Sequence, residues 1–364
     1  MDRITVNNNG KPCYEICFTD DFTGLAECIS ALGFGERRIA VITDSNVAPL
    51  YLDEVIKAIA TLPGEHISVT FAAGEENKQL SVIESFYEEL IRHHFDRHDL
   101  IIALGGGVCG DMTGFTAATY LRGISFLQIP TTLLSQCDSS IGGKTGVDLK
   151  GYKNMVGAFH MPRLVYMNLR TLLSLDDRQF IAGFAEVIKH GMIRDAGYFQ
   201  WLTDHRDGIL KRDTGILSEM IRRSCEIKRD VVEEDPTEQG LRAILNFGHT
   251  IGHAIEKYLN FTLFHGECVS LGMRAAAAIS VREGSLAKEE DQRILHALED
   301  FGMPVRRSFR DEEIEQILTL VKSDKKADGK QVRFIYLDGI GNAVRKEITE
   351  ESLRYGIRSL SGED

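Results

Sequence analysis

The sequence predicts an α/β N-terminal domain built on a mostly parallel sheet, followed by a mainly α-helical C-terminal domain. Three observations carry this expectation. At 364 residues the chain exceeds the roughly 250 to 300 at which a single hydrophobic core stops growing. Up to about residue 172, short apolar runs alternate with amphipathic stretches. Beyond it, helical periodicity takes over with few strand-like runs. The domains are therefore placed at 1–172 and 173–364. No repeat, low-complexity tract or Gly/Ser linker separates them, so they are expected to pack closely and form a cleft.

In chain order, Arg38–Thr43, His66–Phe71, Asp99–Leu104, Ser125–Pro130 and Leu164–Asn168 are short apolar runs of strand length. Leu50–Ala60 and Leu80–His93 repeat apolar residues at helical spacing between them, which makes βαβ units. In the second half, Asp176–Met192, Gly215–Val232, Leu241–Leu259 and Glu267–Arg282 read as helices. A short hairpin is expected near Arg333–Ile335 and Ala343–Ile348.

Composition is that of an ordinary globular protein, 43% apolar and 26% charged. The net charge of −12 argues against a role resting on attraction to nucleic acid or anionic membranes. The N-terminus MDRITVNNNG lacks the apolar run of a signal peptide, and no stretch is long and apolar enough to span a bilayer. Seven scattered cysteines, odd in number and never spaced CxxC, suit a reducing compartment, so a cytoplasmic location is expected. Cys13 and Cys17 fall in a strand or loop without a second ligand pair and are not read as metal ligands.

Gly105-Gly106-Gly107-Val108-Cys109-Gly110-Asp111 follows the apolar run Leu100–Leu104 and precedes an Ala/Thr-rich stretch. Such glycines permit a tight turn and let the N–H groups of a helix start face a diphosphate, as in Rossmann-like domains. The motif lies on a late strand, however, and no acid stands about 20 residues on, where Gln128 and Ile129 sit. The segment SSIGGKT (139–145) fails as a P-loop, because Asp138 stands where its first glycine belongs. Lys144 remains available to an anion as a point charge.

His249 and His253 are four residues apart and share one helix face, with His265 in a loop-like FHGE and Glu186 on one helix face with Lys189. Any two of these histidines with Glu186 would make the open three-ligand site of a catalytic zinc. Thr250 replaces the glutamate that a metalloprotease places after the first histidine. Lys78, Lys144, Lys153, Lys189, Lys228, Arg122 and Arg242 lie in Gly-rich or motif-like surroundings and are candidates for an anionic ligand, although each taken singly reads as a solvated surface charge.

Taken together, GGGVCGDMTGFTAATYLRG (105–123), IPTTLLSQCDSSIGGKTGVD (129–148), KNMVGAF (153–159), GFAEVIKHG (183–191), LRAILNFGHTIGHAIE (241–256) and HGECVSLGM (265–273) resemble the 3-dehydroquinate synthases, a family of sugar-phosphate cyclases. The likeness runs in order from about residue 40 to Asp324-Lys325-Lys326. It implies the dehydroquinate synthase-like fold and metal ligands Glu186, His249 and His265, for zinc or cobalt, with His253 left as an acid–base group. It implies NAD contacts from Asp44, Asn46, Glu75, Lys78, Gly106, Gly107, Val108, Asp111, Thr131, Thr132, Lys153, Thr171 and Ser174. Substrate contacts would come from Arg122, Asp138, Lys144, Asn154, Glu186, Lys189, Lys228, Arg242, Asn246 and one of Lys325 and Lys326. Glu238 matches a position proposed as a proton acceptor. Cys109 and Cys137 replace residues that are often aliphatic, and Ala182 stands where some members carry an amide.

The activity implied is a phosphate-eliminating lyase of aromatic amino acid biosynthesis (the shikimate pathway), acting on a seven-carbon sugar-acid phosphate and regenerating NAD in each turnover. A homodimer is implied as well, in which Arg122 reaches the phosphate held by the neighbouring subunit. The competing expectations are another sugar-phosphate cyclase and a metal-dependent polyol dehydrogenase. Lys144, Asn154, Arg242 and Asn246 form an anion-binding set that a neutral polyol does not need.

Overall fold

The computed structural model describes residues 2–325 and 332–362. The chain divides into two compact units, Met1–Leu175 and Asp176–Asp364.

The first unit comprises β1 (Asp2–Asn8), β2 (Lys11–Thr19), α1 (Leu25–Ala31), β3 (Ile39–Asp44), α2 (Asp53–Ile59), β4 (His66–Phe71), α3 (Leu80–Arg92), β5 (Leu100–Gly105), α4 (Gly107–Thr119), β6 (Ser125–Pro130), β7 (Lys144–Leu149), β8 (Tyr152–Phe159) and β9 (Leu164–Asn168). Seven strands form one sheet in the order β1-β2-β9-β6-β5-β3-β4, parallel throughout except for β1. Along β3 the side chains alternate between two cores. Ile39 and Val41 pack with Leu25, Ile29, Val55 and Ile59 of α1 and α2. Ala40 and Ile42 pack with Ile83, Phe86, Met112 and Phe115 of α3 and α4. A sheet covered on both faces needs strands that are apolar without alternation, which is why β3 and β5 read so plainly in the sequence.

Four strands of this unit were not anticipated. In the β1–β2 hairpin only Ile4 and Val6 of β1 are buried, too little apolar content to register as a strand. Cys13 and Cys17 both lie on β2. The β7–β8 hairpin forms a separate antiparallel sheet, and Gly146 faces Gly157 across it. A Cβ on Gly146 would stand 2.8 Å from Val156 O, so the close backbone contact demands the residues that made the segment look like a loop. The helix expected over Leu50–Ala60 begins instead as a π-helical turn, Ala48–Leu52, and continues as α2.

The second unit contains α5 (Asp177–Arg194), α6 (Ala196–Asp204), α7 (Arg206–Leu210), α8 (Thr214–Glu234), α9 (His249–Tyr258), α10 (His265–Arg282), α11 (Lys288–Asp300), α12 (Asp311–Lys325), the antiparallel hairpin of β10 (Arg333–Leu337) and β11 (Ala343–Glu347), and α13 (Glu350–Arg358). The single helix expected over Leu241–Leu259 is broken. A 3₁₀ segment spans Leu241–Asn246, and Gly248, left-handed at φ +80°, turns the chain into α9. His265, expected in a loop, is the first residue of α10. Among the described residues, no helix is long and apolar enough to cross a membrane.

Helices α9 and α10 meet backbone to backbone. A Cβ on Gly252 would lie 2.8 Å from Cys268 O, and one on Gly272 would lie 2.8 Å from Gly252 N and closer still to Gly248 O. A methyl group there has nowhere to go. Gly272→Ala is expected to destabilise the fold by about 1 to 3 kcal/mol, read as a lowered urea midpoint at unchanged slope. An unchanged midpoint would refute the close approach.

Candidate active site

The connections after β3 and β5, which lie side by side, leave in opposite directions, β3 towards β4 and β5 towards β6. Such a divergence opens a crevice at the carboxyl ends of the strands, the place where open α/β sheets take their ligands. Asp44 ends β3 there, and its Oδ1 accepts from the N–H groups of Asn46 (2.9 Å) and Val47 (3.1 Å), which fixes the loop. None of Gly105, Gly106 and Gly107 is left-handed, so the glycines serve close approach rather than an unusual turn. A Cβ at Gly105 would stand 3.2 Å from Asp44 Oδ2, and one at Gly106 would stand 3.1 Å from Thr132 Cγ2. Val108 lies in the first turn of α4, a helix of thirteen residues whose first N–H groups have no carbonyl partner within the helix. Thr131 Oγ1, just after β6, is buried without a hydrogen-bond partner. A helix start, an orphaned hydroxyl and a strand-end carboxylate of the kind that grips a ribose fit a dinucleotide. No acid stands about 20 residues downstream, and the carboxylate nearest this turn is that of Asp44 on β3, the strand paired with β5.

Four residues of the expected cofactor set join one of the expected substrate set in an ionic cluster. Lys78 Nζ, nearly fully buried, donates to Asp111 Oδ2 and Asn154 Oδ1, both at 2.6 Å, and lies 3.9 Å from Glu75 Oε1. Lys153 Nζ lies 3.7 Å from the same Glu75 oxygen. Burial opposes the Lys78 charge, but Asp111 and Glu75 outweigh it and hold the ammonium above its ordinary pKa. Asn154 takes a left-handed φ of 51° and donates its N–H to Asp148 Oδ1 at 2.8 Å. Thr171 and Ser174 gather around Tyr51, whose hydroxyl bonds Ser174 Oγ and reaches Thr171 O at 3.4 Å. Asp138 lies in the π-helical turn Ser135–Ser139, Lys144 starts β7, and Arg122 occupies the corner after α4.

In the second unit, Glu186 and Lys189 of α5 are paired and almost wholly buried. Glu186 Oε1 accepts no hydrogen bond, yet it lies 3.6 Å from His249 Nε2 and 3.9 Å from His265 Nε2. Ligand atoms about a tetrahedral zinc, at bonds of about 2.0 to 2.2 Å, stand roughly 3.3 to 3.6 Å apart. A buried oxygen without a donor, faced by two imidazole nitrogens near that spacing, fits a divalent cation. His249 Nδ1 lies 3.1 Å from Phe247 O, so it donates there and turns its Nε2 lone pair to Glu186. Burial, with Lys189, His253 and His265 nearby, holds His249 well below its ordinary pKa, so the ring is neutral and ready to ligate. The third histidine, His253, is exposed, with its ring 5.1 Å from that of His249 and 5.5 Å from that of His265.

Main-chain packing brings these groups together. A Cβ on Gly266 would stand 2.9 Å from Ala182 Cα, so the start of α10 rests on α5 one turn before Glu186. The Glu267 carboxylate accepts the Phe264 N–H at 2.8 Å and caps α10 at His265. An acid three residues after Phe264 was the sequence signal for that helix start. Sequence reasoning also missed Glu256, buried, with Oε2 3.6 Å from His265 Nδ1. Its signal is the spacing of His249, His253 and Glu256 along one face of α9.

The expected anion-binding residues of this unit are buried or hydrogen-bonded. Lys228 is buried on α8, and Arg242 is buried with Nη1 2.7 Å from Pro236 O. Asn246 Nδ2 donates to Glu238 Oε1 at 2.6 Å, and Glu238 itself is left-handed at φ 60°. Asp235 secures the turn by accepting from the N–H groups of Gln239, Gly240 and Arg242. Lys325 ends α12, and Lys326 lies outside the described residues.

Family models for the N-terminal and C-terminal parts of 3-dehydroquinate synthase match residues 68–182 and 183–327. The 3-dehydroquinate synthase of Acetivibrio thermocellus is 41% identical over 364 residues, the whole of both chains. That of Acidithiobacillus ferrooxidans is 47% identical over 307 residues, 84% of each chain. Among solved structures, a 2-deoxy-scyllo-inosose synthase in complex with carbaglucose-6-phosphate, NAD+ and Co2+ matches with a TM-score of 0.87 at 25% identity, over 98% of this chain and all of that one. Identity of this order along the full length, with the family models meeting between Ala182 and Gly183, makes the chain a member of the 3-dehydroquinate synthase family.

Proposed function

We propose that the protein converts 3-deoxy-D-arabino-heptulosonate 7-phosphate to 3-dehydroquinate and phosphate, using NAD and a divalent metal, zinc or cobalt. The observation that carries this reading is the convergence of His249 and His265 on a buried, donorless oxygen of Glu186, with Lys189 paired to the same carboxylate. The family's relatives and a neighbour solved with NAD+ and Co2+ support it.

The cation held by Glu186, His249 and His265 would supply Lewis acidity at a substrate hydroxyl, and NAD would take up a hydride and return it within the cycle. The chain's own groups do the remainder. Lys189 keeps a positive charge beside the carbon that is oxidised and steadies its developing oxyanion. The resulting ketone acidifies the neighbouring C–H. His253, exposed and with an intrinsic pKa of about 6.5, takes up that proton as the C–O bond to phosphate breaks. Phosphate leaves with the bonding electrons; Lys144, Lys228 and Arg122 would neutralise its charge and Asn154 would donate a hydrogen bond to it. Arg242 presents its planar fork to the substrate carboxylate, and Asn246, held by Glu238, binds a hydroxyl. Reduction, ring opening and aldol closure complete the cycle. A cytoplasmic homodimer is the proposed form. The seven cysteines, none of them in a disulfide, support the location, and the resemblance of the motif around Arg122 supports a contact made in trans.

Because the hydride is returned in each turnover, inorganic phosphate and dehydroquinate are expected to form together over many cycles without NADH accumulating. Assaying both products alongside NADH absorbance tests this. NADH in proportion to turnover would identify a dehydrogenase and overturn the reading.

A further inference from the structure

We propose that Glu256 is a positioning residue of the metal centre, a buried carboxylate that decides which nitrogen of His265 faces Glu186. The inference rests on the ligand set proposed above. The His265 ring lies between two buried carboxylates: Nδ1 is 3.6 Å from Glu256 Oε2, and Nε2 is 3.9 Å from Glu186 Oε1. A neutral imidazole carries one N–H and one lone pair. With a carboxylate at each nitrogen, the N–H goes to Glu256 and the lone pair to the cation beside Glu186. At 3.6 Å the Glu256 contact is longer than a hydrogen bond, and a shift of some tenths of an ångström closes it.

The two ligating histidines need different solutions. His249 finds its acceptor in the backbone, at Phe247 O. His265 opens α10 as His249 opens α9, and the acceptor that its Nδ1 faces is a side-chain carboxylate. Glu256 supplies one from the neighbouring helix. Residues 249, 253 and 256 fall within about 60° of arc at 3.6 residues per turn, so the element that offers His249 also offers the carboxylate that orients His265. Burying a carboxylate is costly unless positive charge opposes it. A histidine bound to a cation meets that need, and polarisation by the cation strengthens its N–H as a donor.

The test is a zinc dissociation constant, measured on metal-free protein by competition with a chromophoric chelator, for the parent, Glu256→Gln and Glu256→Leu. Outer ligand partners of this kind contribute about 10- to 100-fold in metal affinity. Glu256→Gln, which keeps an acceptor but loses the charge, is expected to weaken zinc binding about 10-fold, and Glu256→Leu closer to 100-fold. The Co(II) spectrum should shift in both, while the metal-free melting midpoint of Glu256→Gln stays at the parent value. Parent-like zinc affinity in both variants would overturn the proposal. So would a fall in the metal-free midpoint of Glu256→Gln large enough to account for the weakened binding, since Glu256 would then act through packing alone. His249→Ala in the same titration separates the two levels of inference. If it loses zinc while the Glu256 variants do not, only the present proposal fails. If it holds zinc like the parent, the ligand set fails and the proposal with it.

Discussion

His249→Ala and His265→Ala are each expected to empty the metal site and lower turnover by about a thousandfold or more. A bound cation contributes several kcal/mol of transition-state stabilisation, and each 1.36 kcal/mol is about a factor of ten. The folded state should survive, because neither side chain belongs to the buried core and both ring nitrogens facing Glu186 look into the site. His253→Ala separates ligation from proton transfer. Its ring is exposed beside the other two, so the variant should retain its metal and lose only the acid–base contribution, about 10²- to 10⁴-fold. Metal analysis of the three purified variants, with turnover measured on each, decides the matter. If His253→Ala is as empty as His249→Ala, the assignment of ligands is wrong.

In the proposed homodimer, Arg122→Ala is expected to keep its fold and its oligomeric state while losing about 10- to 150-fold in substrate binding, the equivalent of roughly 1.5 to 3 kcal/mol for a charge-assisted contact to phosphate. Its corner is unusual. Leu121 and Arg122 are both left-handed, at φ 49° and 67°, and Gly123 follows at φ 123°. Two non-glycine residues in that region in succession cost free energy, and such strain persists where function holds it. Leu121 is 44% exposed, so no core packing rewards the conformation. Mixing Arg122→Ala with Lys189→Met, which keeps the buried volume of the lysine, makes the test decisive. Heterodimers would combine intact Lys189 on one chain with intact Arg122 on the other and recover one working site. A mixture that stays inactive after verified subunit exchange would place Arg122 within its own chain or outside the chemistry.

The parallel strands were legible because burial on both faces leaves a continuous apolar run, as in Leu100–Leu104. The β7–β8 hairpin was not, because Gly146 and Gly157 are there to let two backbones meet and give no periodic signal. Helix α9 was visible as a pattern, but the break before it depends on the backbone of Gly248, which periodicity cannot see. The proposed metal site was half legible. Spacing put His249 and His253 on one face and could not tell which imidazoles turn towards Glu186, since that depends on how α10 lies against α5 and α9. Glu256 escaped notice because a glutamate on an amphipathic helix ordinarily reads as solvated, and only packing buries it.

The glycine seam of α9 and α10 has a consequence for how this protein tolerates change. Where helices meet through side chains, a larger residue on one can be absorbed by a smaller one on the other. Here the separation of the helices that carry His249 and His265 is set by the main chains at Gly252 and Gly272, whose nearest neighbours are backbone atoms and leave no side chain to trade. A saturation scan of α9 and α10 should therefore show two kinds of intolerance. Losses at the histidines would be chemical and confined to turnover and metal content. Losses at the glycines would be geometric, would extend to every substituent including alanine, and would not be rescued by enlarging or shrinking the neighbouring core residues.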